Sequence, residues 1–285
     1  TLLLALGLLV ISRKKIWPGL LFVFITLGIQ ILAISMRVYI SGRAPITNMY
    51  ETVMFSGFGS LLLATIIGHF KKDKTFLIGG GIYNMCGLLM MKFANNMLSP
   101  SIAPLVPVLR DNFWLSTHVT TIILSYSALA LSWPLANFVI LKKKFGVMGS
   151  SDFQYYNDLI YTCLKWGAVL LSAGIILGGV WADYSWGRFW GWDPKETWSL
   201  IVLLIYMAIL HGKSTNWITP TRFAPVTALA FLSVLMAWFG VNYILASGLH
   251  SYGFSEGGSI FLITITMVQL AVFLINFLPL PPRKI

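Results

Sequence analysis

A tryptophan-rich string is the densest cluster of chemically distinctive residues in the chain. It reads WADYSWGRFWGWDPKETW over Trp181–Trp198 and holds five of the chain's 11 tryptophans. Gly187 and Gly191 permit tight turns and close approach of the backbone to a flat ligand. The Asp-Pro-Lys-Glu exit at 193–196 is typical of a helix start, with Asp as N-cap and Glu near the positive end of the helix dipole. An interfacial aromatic belt explains one or two tryptophans at a helix end, but not this density of Trp and Gly.

The composition indicates a membrane protein. Of 285 residues, 57% are hydrophobic and 10% are charged, and long apolar runs recur along the whole chain. The net charge of +11 would favour a nucleic-acid partner in a soluble protein. Here the basic residues lie in short runs between apolar segments, which is typical of membrane topology, so no nucleic-acid partner is expected. Cys86 and Cys163 lie far apart in apolar stretches, which predicts structural roles and neither a disulfide framework nor a redox pair.

The apolar runs predict an all-α fold, a polytopic transmembrane helix bundle within a single membrane-embedded domain over residues 1–285. Runs of about 20 residues give helices that cross about 30 Å of hydrocarbon, and lipid offers no partner for free backbone groups. The eight predicted full spans are near 16–40, 48–70, 76–92, 114–141, 162–181, 196–212, 223–243 and 258–279. The run at 1–11 is too short to span a bilayer, so we expect a truncated first span or one part of a larger protein.

The basic residues predict the orientation of the spans. Alternate connections carry the basic clusters, which are Arg13, Lys14, Lys15; Lys71, Lys72, Lys74; Lys142, Lys143, Lys144; Lys213, Arg222; and Arg283, Lys284. The positive-inside rule places these connections in the cytoplasm. The predicted outer segments are then 41–47, 93–113 and 244–257, together with the string 181–198, hereafter the Trp-rich segment.

The residues of the Trp-rich segment and of two further regions resemble a known family. The string WGRFWGWDPKETW is similar to the WWD signature of the heme-handling proteins of cytochrome c biogenesis. It resembles most closely the CcsA-type subunit of the system II cytochrome c synthase. Pro45–Glu51 looks like that family's outer segment, and Asn242 and Tyr243 with Gly248–Tyr252 look like its last outer loop. The resemblance therefore covers most of the chain. It implies that the Trp-rich segment binds heme b on the outer face between two axial histidines, with a further histidine ligand within the membrane.

Three histidines match these implied roles. His118 opens the 114–141 span and His250 lies in the last outer loop, so both are predicted on the side of the Trp-rich segment. Imidazole is a common ligand of heme iron, and the resemblance implies that this pair holds the outer heme. By position alone, each would be read as a solvated interfacial residue. His211 ends the 196–212 span, about 22 Å along the helix from Glu196, and is the implied intramembrane ligand.

The intramembrane site needs a second histidine. The remaining one, His69, adjoins Lys71 and Lys72 and is read as interfacial. We therefore expect the missing ligand to come from a CcsB-type partner subunit or fused domain.

The resemblance also implies which residues surround the heme. The implied lining residues are Trp181, Trp186, Gly187, Phe189, Trp190, Gly191, Trp192, Asp193 and Trp198. Arginine pairs with carboxylates through two parallel hydrogen bonds, so the outer basic residues are candidates for the heme propionates, with the choice among them open. These candidates are Arg43, Arg110, Arg188 and Lys195. Asn48 and Glu51 share a helix face and are candidates for supporting the site, although helix capping explains them as well.

The implied activity is that of a cytochrome c heme lyase, or holocytochrome c synthase, acting with its partner. Apocytochrome c presents a CxxCH segment, its two thiols add across the heme vinyl groups to form thioethers, and the substrate histidine replaces one axial ligand. The chain itself offers no nucleophile and acts by positioning the heme edge and the thiols. Thiol-reducing proteins are further expected partners.

Three other functions fit parts of the sequence. A heme exporter that delivers heme without ligase activity would share the same path and residues. A membrane b-type electron-transfer cytochrome would pair histidines on spanning helices, whereas here they lie one per segment. A structural scaffold leaves the Trp-rich segment unexplained. The predicted location is a bacterial inner membrane with the Trp-rich segment on the periplasmic side, or a thylakoid membrane if the source is a plastid.

Overall fold

A computed structural model of the chain describes residues 1–12, 16–105, 110–146, 148–245 and 257–278. Within these residues every regular element is helical, which confirms the predicted all-α bundle. The helices are α1 Leu2–Ser12, α2 Ile16–Ser41, α3 Met49–Lys71, α4 Lys74–Phe93, α5 Asn112–Lys144, α6 Ser150–Trp186, α7 Pro194–Ser214, α8 Pro220–Leu245 and α9 Gly258–Phe277. Eight of these described helices are long and apolar enough to cross a membrane, the predicted number of full spans.

Helix α6 differs most from its prediction. It has 37 residues and begins well before the predicted 162, because hydropathy detects the lipid-facing part of a helix and misses its polar first turns. At 1.5 Å per residue it is about 55 Å long, which exceeds the roughly 30 Å hydrocarbon layer. It also continues through Trp186, into the predicted outer segment. The first residue that stops it is Gly187, which has a φ of 67°. Only residues 187–193 of the Trp-rich segment lie outside a helix.

The chain folds into two compact units. Unit 1 comprises Thr1–Ser127 and Ile176–Phe189, and unit 2 comprises Ala128–Ile175 and Trp190–Ile285. Helices α5 and α6 each contribute one part to each unit. The single membrane-embedded domain stays a prediction.

Unit 1 has an apolar core and a buried polar cross-link. The core contains residues of all four helices α1, α2, α3 and α4, which are Leu4, Leu8, Ile11, Val23, Leu27, Leu61 and Leu77. On α2, Gln30 exchanges two hydrogen bonds with Asn84 of α4, at 2.8 and 3.0 Å. Asn84 also donates to the carbonyl of Gly57 on α3 at 2.8 Å. Because lipid cannot satisfy buried amides, this exchange fixes the register of the three helices.

Unit 2 is joined by a similar amide. Gln269 of α9 is 1% exposed and accepts from the indole N–H of Trp133 on α5 at 2.6 Å. Asn137, on the next turn of α5, also donates to it at 3.1 Å. The Trp133 ring stacks on Phe231 of α8, with ring centroids 5.5 Å apart. These contacts tie α5, α8 and α9 together.

Candidate functional site

Helix α5, which carries His118, begins with an irregular first turn. Asp111 caps it by accepting from the backbone N–H groups of Phe113 and Trp114 at 3.0 and 3.1 Å. The next five residues, Leu115–Val119, form a π-helical turn. Such a widened turn changes where side chains point and is frequent at functional sites. His118 lies in this turn and is half-buried.

The imidazole of His118 packs against the end of α6, within unit 1. Its ring centroid is 5.8 Å from that of Trp181. The ring also packs directly against the backbone at Gly178, since a Cβ at that position would lie 2.6 Å from Cε1 of His118. Trp181 is only 6% exposed, and its indole N–H has no hydrogen-bond partner among the described residues. The structure thus brings two predicted site residues together, with a buried donor beside the imidazole.

The first part of the 187–193 connection belongs to unit 1. Gly187 ends α6, and the Phe189 side chain folds back onto α6 at Gly179, where a Cβ would meet its ring. Phe189 is nevertheless 49% exposed. The guanidinium of Arg188, a candidate for a propionate contact, lies 5.7 Å from the ring centre of Trp186. Arginine stacked on an aromatic ring is held by a cation–π interaction.

The second part of the connection, in unit 2, presents two tryptophans. Trp190 and Trp192 pack edge to face, with centroids 5.9 Å apart. Trp192 is 69% exposed and has a φ of 59°. A bulky residue in the left-handed region is a conformational outlier that persists only when its surroundings hold it, and such outliers cluster at functional sites. Trp198 is half-buried on the first turns of α7.

A capping box at the start of α7 holds Trp192 in place. Asp193 is 6% exposed and accepts from the Lys195 N–H at 2.9 Å, which confirms it as the N-cap. Oε2 of Glu196 accepts from the N–H groups of Gly191 at 2.8 Å and Asp193 at 3.1 Å. Glu196 therefore fixes the backbone on both sides of Trp192, beyond the favourable dipole position that we predicted. The D-x-x-E spacing was the signal for this role.

Asn48 and Glu51 lie where α2 ends and α3 begins. Asn48 caps α3 by accepting from the Glu51 N–H at 2.9 Å, so capping, the alternative left open by the sequence, is confirmed for Asn48. Glu51 is 1% exposed and pairs with Nε of Arg37 at 2.8 Å. Its other oxygen accepts from the backbone N–H and hydroxyl of Thr47 at 2.8 and 2.7 Å. Sequence reasoning missed Arg37, whose signal was a lone cation near the end of an apolar span.

The other candidates for propionate contacts lie in varied surroundings. Arg43 donates through Nη2 to the carbonyl of Ala103 at 2.6 Å, so part of its guanidinium is engaged in unit 1. Arg110 is exposed, and Lys195 is half-buried on the first turn of α7. Arg188 and Arg43 thus already have contacts that orient them.

His211 lies on the exposed side of the last turn of α7. Its Nδ1 is 2.8 Å from the carbonyl oxygen of Met207. A carbonyl only accepts, so Nδ1 carries a proton, and in the neutral imidazole Nε2 keeps its lone pair. A metal-binding histidine is usually oriented by such a bond from its other nitrogen. His69 is also exposed, at the end of α3, as expected for an interfacial residue.

His250, with Gly248–Tyr252, lies outside the described residues. Asn242, which by resemblance looks like part of the last outer loop and also falls in the predicted 223–243 span, is 5% exposed and donates to the carbonyl of Trp238 at 3.0 Å. It lies in the π-helical end of α8, Met236–Leu245, so the helix reaches the start of the predicted 244–257 segment. Cys86 and Cys163 are both free thiols.

Comparison with known proteins identifies the family. The profile of the family described as cytochrome C assembly protein matches residues 46–250, a range that includes His118, the Trp-rich segment and His211. The chain belongs to this family. It is 36% identical to the cytochrome c biogenesis protein CcsA of Guillardia theta, over 86% of this chain and 93% of that protein. It is 34% identical to CcsA of Chlamydomonas reinhardtii, over 88% of this chain and 73% of that protein.

A third relative is much longer than this chain. Protein NrfI of Wolinella succinogenes is 35% identical over 80% of this chain, and the match covers 25% of NrfI. Together the relatives confirm the resemblance to the CcsA type. This member of the family therefore functions in cytochrome c biogenesis as a multi-pass integral membrane protein.

Proposed function

We propose that this protein holds heme b at the Trp-rich segment, with His118 and His250 as axial ligands, and presents it to apocytochrome c. The observation that supports this most is the packing of His118 against Trp181, with ring centroids 5.8 Å apart. A solvated interfacial histidine has no need of a π-helical turn, a glycine opposite its ring and a buried tryptophan beside it.

His118 and residues of the Trp-rich segment fit a heme chemically. His118 supplies an imidazole, and the buried indole N–H of Trp181 is a donor without a partner among the described residues. Phe189, in the same unit as His118, is a large aromatic side chain that remains 49% exposed. An aromatic ring of this kind can pack on a flat porphyrin.

The proposed orientation places the segment on the outer face of the membrane. The connections at the opposite helix ends carry basic residues such as Lys71, Lys142 and Lys213, and positive charge collects on the cytoplasmic side. The compartment is the periplasm for a bacterial inner membrane and the lumen for a thylakoid.

Heme reaches the outer site from a second, intramembrane site at His211. Its Nδ1 is bonded to the Met207 carbonyl, which leaves Nε2 as the nitrogen for iron. Because His211 is exposed on α7, the other ligand comes from outside this chain, from a CcsB-type partner subunit or fused domain.

The chemistry at the outer site is an addition that consumes no oxidant or reductant. Each thiol of the CxxCH segment forms a carbon–sulfur bond to one carbon of a heme vinyl group, and its hydrogen ends on the other carbon. The substrate histidine then replaces one axial imidazole. The chain contributes by holding the heme edge where the thiols arrive, which makes it a heme lyase that acts by proximity.

The ligand assignment is tested on protein purified with its partner. The variants His118→Ala and His250→Ala should each lose the bis-histidine spectrum of the outer heme, and added imidazole should restore it. His69→Ala is the matched control, because His69 is exposed at a helix end, and should leave the spectrum unchanged. If both ligand variants keep a normal bis-histidine spectrum, the assignment is wrong.

A second experiment separates lyase from exporter. The chain, its partner and an apocytochrome c are expressed in a cell that lacks other maturation systems. Heme bound covalently to the apocytochrome supports the lyase. Free heme outside the membrane, without covalent product, would make the protein an exporter.

A further inference from the structure

Two consecutive glycines, Gly178 and Gly179, interrupt the apolar part of α6 near its end. Glycine weakens a helix relative to alanine, because it adds no side-chain packing and loses more backbone freedom on folding. A glycine inside a helix therefore usually has a packing reason. In spanning helices that reason is most often close approach by a neighbouring element.

Each of the two glycines faces one residue of the proposed site. A Cβ at Gly178 would lie 2.6, 3.0 and 3.3 Å from Cε1, Nδ1 and Nε2 of His118. A Cβ at Gly179 would lie 2.7 Å from both Cε1 and Cε2 of Phe189 and closer still to Cζ. In both cases the atoms in the way belong to a ring packed onto the helix backbone. No side chain fits at either position unless that ring moves.

The space that holds the His118 ring, hereafter the niche, is lined on one side by Gly178. Trp181 lines a second side of it. It lies three residues beyond Gly178, on the same face of α6, and its ring centroid is 5.8 Å from that of His118. Trp181 is 6% exposed. The His118 imidazole is thus held between the helix backbone at Gly178 and the buried indole of Trp181. The N–H of that indole has no hydrogen-bond partner among the described residues.

We propose that Gly178 is a positioning residue, which seats the His118 imidazole for ligation of heme iron. This rests on the proposed function. A normal contact between carbon atoms is about 3.5–4.0 Å, so a Cβ at 2.6 Å displaces the ring by about 1 Å. Metal–ligand distances tolerate only about 0.2 Å. A methyl group at position 178 therefore removes His118 from the iron even though alanine is the better helix former.

The test compares alanine variants of glycines in the full chain purified with its partner. Gly178→Ala should reduce the outer heme that shows the bis-histidine spectrum by about tenfold or more, while the intramembrane heme at His211 should be unaffected. Gly79→Ala and Gly28→Ala are matched controls, because apart from the neighbouring backbone of its own helix no described atom lies within 4 Å of a Cβ at either position, and both should keep the spectrum. If Gly178→Ala keeps a normal bis-histidine spectrum, the proposal is wrong.

A double variant tests the proposal even if Gly178→Ala alone disturbs folding. In His118→Ala/Gly178→Ala the clash is absent, because the ring that the methyl group would strike has been removed. Imidazole that enters the niche should restore the spectrum of His118→Ala, whereas the double variant should need about tenfold more imidazole. Equal imidazole requirements would overturn the role of Gly178. A normal spectrum in His118→Ala itself would instead overturn the proposed function, so the two failures are distinguishable.

Discussion

The His118 region of unit 1 and the His211 region of unit 2 present their histidines in opposite ways. His118 is half-buried in a π-helical turn, between Gly178 and Trp181 of another helix. His211 is exposed, and its ring is bonded to the carbonyl of Met207 on its own helix. The first imidazole is positioned by tertiary structure and the second by local structure. We infer that the chain builds its half of the outer site itself, whereas the intramembrane site is completed by its partner.

The ion pairs of the two units show the same contrast. Arg37 and Glu51 in unit 1 are 2.8 Å apart, with the Glu51 side chain 1% exposed. In unit 2, Lys213, which is close to His211 along the chain, lies 2.9 Å from Asp158, and the Asp158 side chain is 60% exposed. The lengths are nearly equal, so the difference in environment decides what each pair contributes to stability.

The largest effect is expected for Glu51→Gln. Removing one partner of a buried pair leaves the other charge uncompensated and costs about 3–5 kcal/mol, and we expect the lower end because Arg37 keeps some exposure. The free energy of unfolding, measured in detergent with denaturant, should fall by about 3 kcal/mol. Adding Arg37→Gln should recover part of the loss, since the double variant holds no unpaired charge. A loss no greater than that of Asp158→Asn would show that burial does not distinguish the two pairs.

A smaller effect, and on binding, is expected for Trp181→Phe. This change keeps an aromatic ring beside His118 and removes the indole N–H, which has no described partner. If that N–H donates to bound heme, heme affinity should fall about tenfold, or about 1.4 kcal/mol, close to the value of a hydrogen bond to a charged group. Heme titration of the purified protein measures it.

Trp133→Phe is the matched control for Trp181→Phe. The Trp133 indole N–H already donates to Gln269 at 2.6 Å, so its loss should lower the free energy of unfolding by about 1–2 kcal/mol and leave heme affinity unchanged. If both variants lower heme affinity equally, the indole N–H of Trp181 has no special role.

Asp158→Asn should have a still smaller effect on stability. Exposed ion pairs contribute about 0.2–1 kcal/mol. Lys213 also keeps its cation–π contacts, with its Nζ 4.7 Å from the Phe223 ring centre and 5.0 Å from that of Tyr161. The same denaturant assay that is used for Glu51→Gln measures the change. A loss above about 2 kcal/mol would place this pair with the buried ones.

Local and compositional features of both regions could be predicted from the sequence. Hydropathy predicted the eight spans because nearly every side chain that faces lipid must be apolar. The Asp193 N-cap followed from residues that are adjacent in the chain. These are properties that a short window of sequence contains.

Contacts between distant segments could not be predicted in this way. Gly178 and His118 are far apart in sequence, and nothing in the pattern of either span indicates that a glycine on one leaves room for a ring on the other. The Arg37–Glu51 pair crosses the end of one span and the start of the next. The π-helical turn at Leu115–Val119 changes the direction of His118 without any residue type that marks it.

The smallest effect is expected for His211→Ala in the chain purified without its partner. The exposed His211 ring bonds to its own helix, and we propose that its iron ligation needs a second histidine from the partner. When heme is added directly to the purified chain, the route through His211 is bypassed, and the spectrum of heme at the outer site should therefore not change. With the partner present, the same variant should lose the signal of the intramembrane heme, while His118→Ala should lose the outer one. Loss of the outer spectrum after heme is added directly to the partner-free His211→Ala protein would mean that the two histidines serve one site. In that case the outer site at His118 and the intramembrane site at His211 would not differ in their need for the partner.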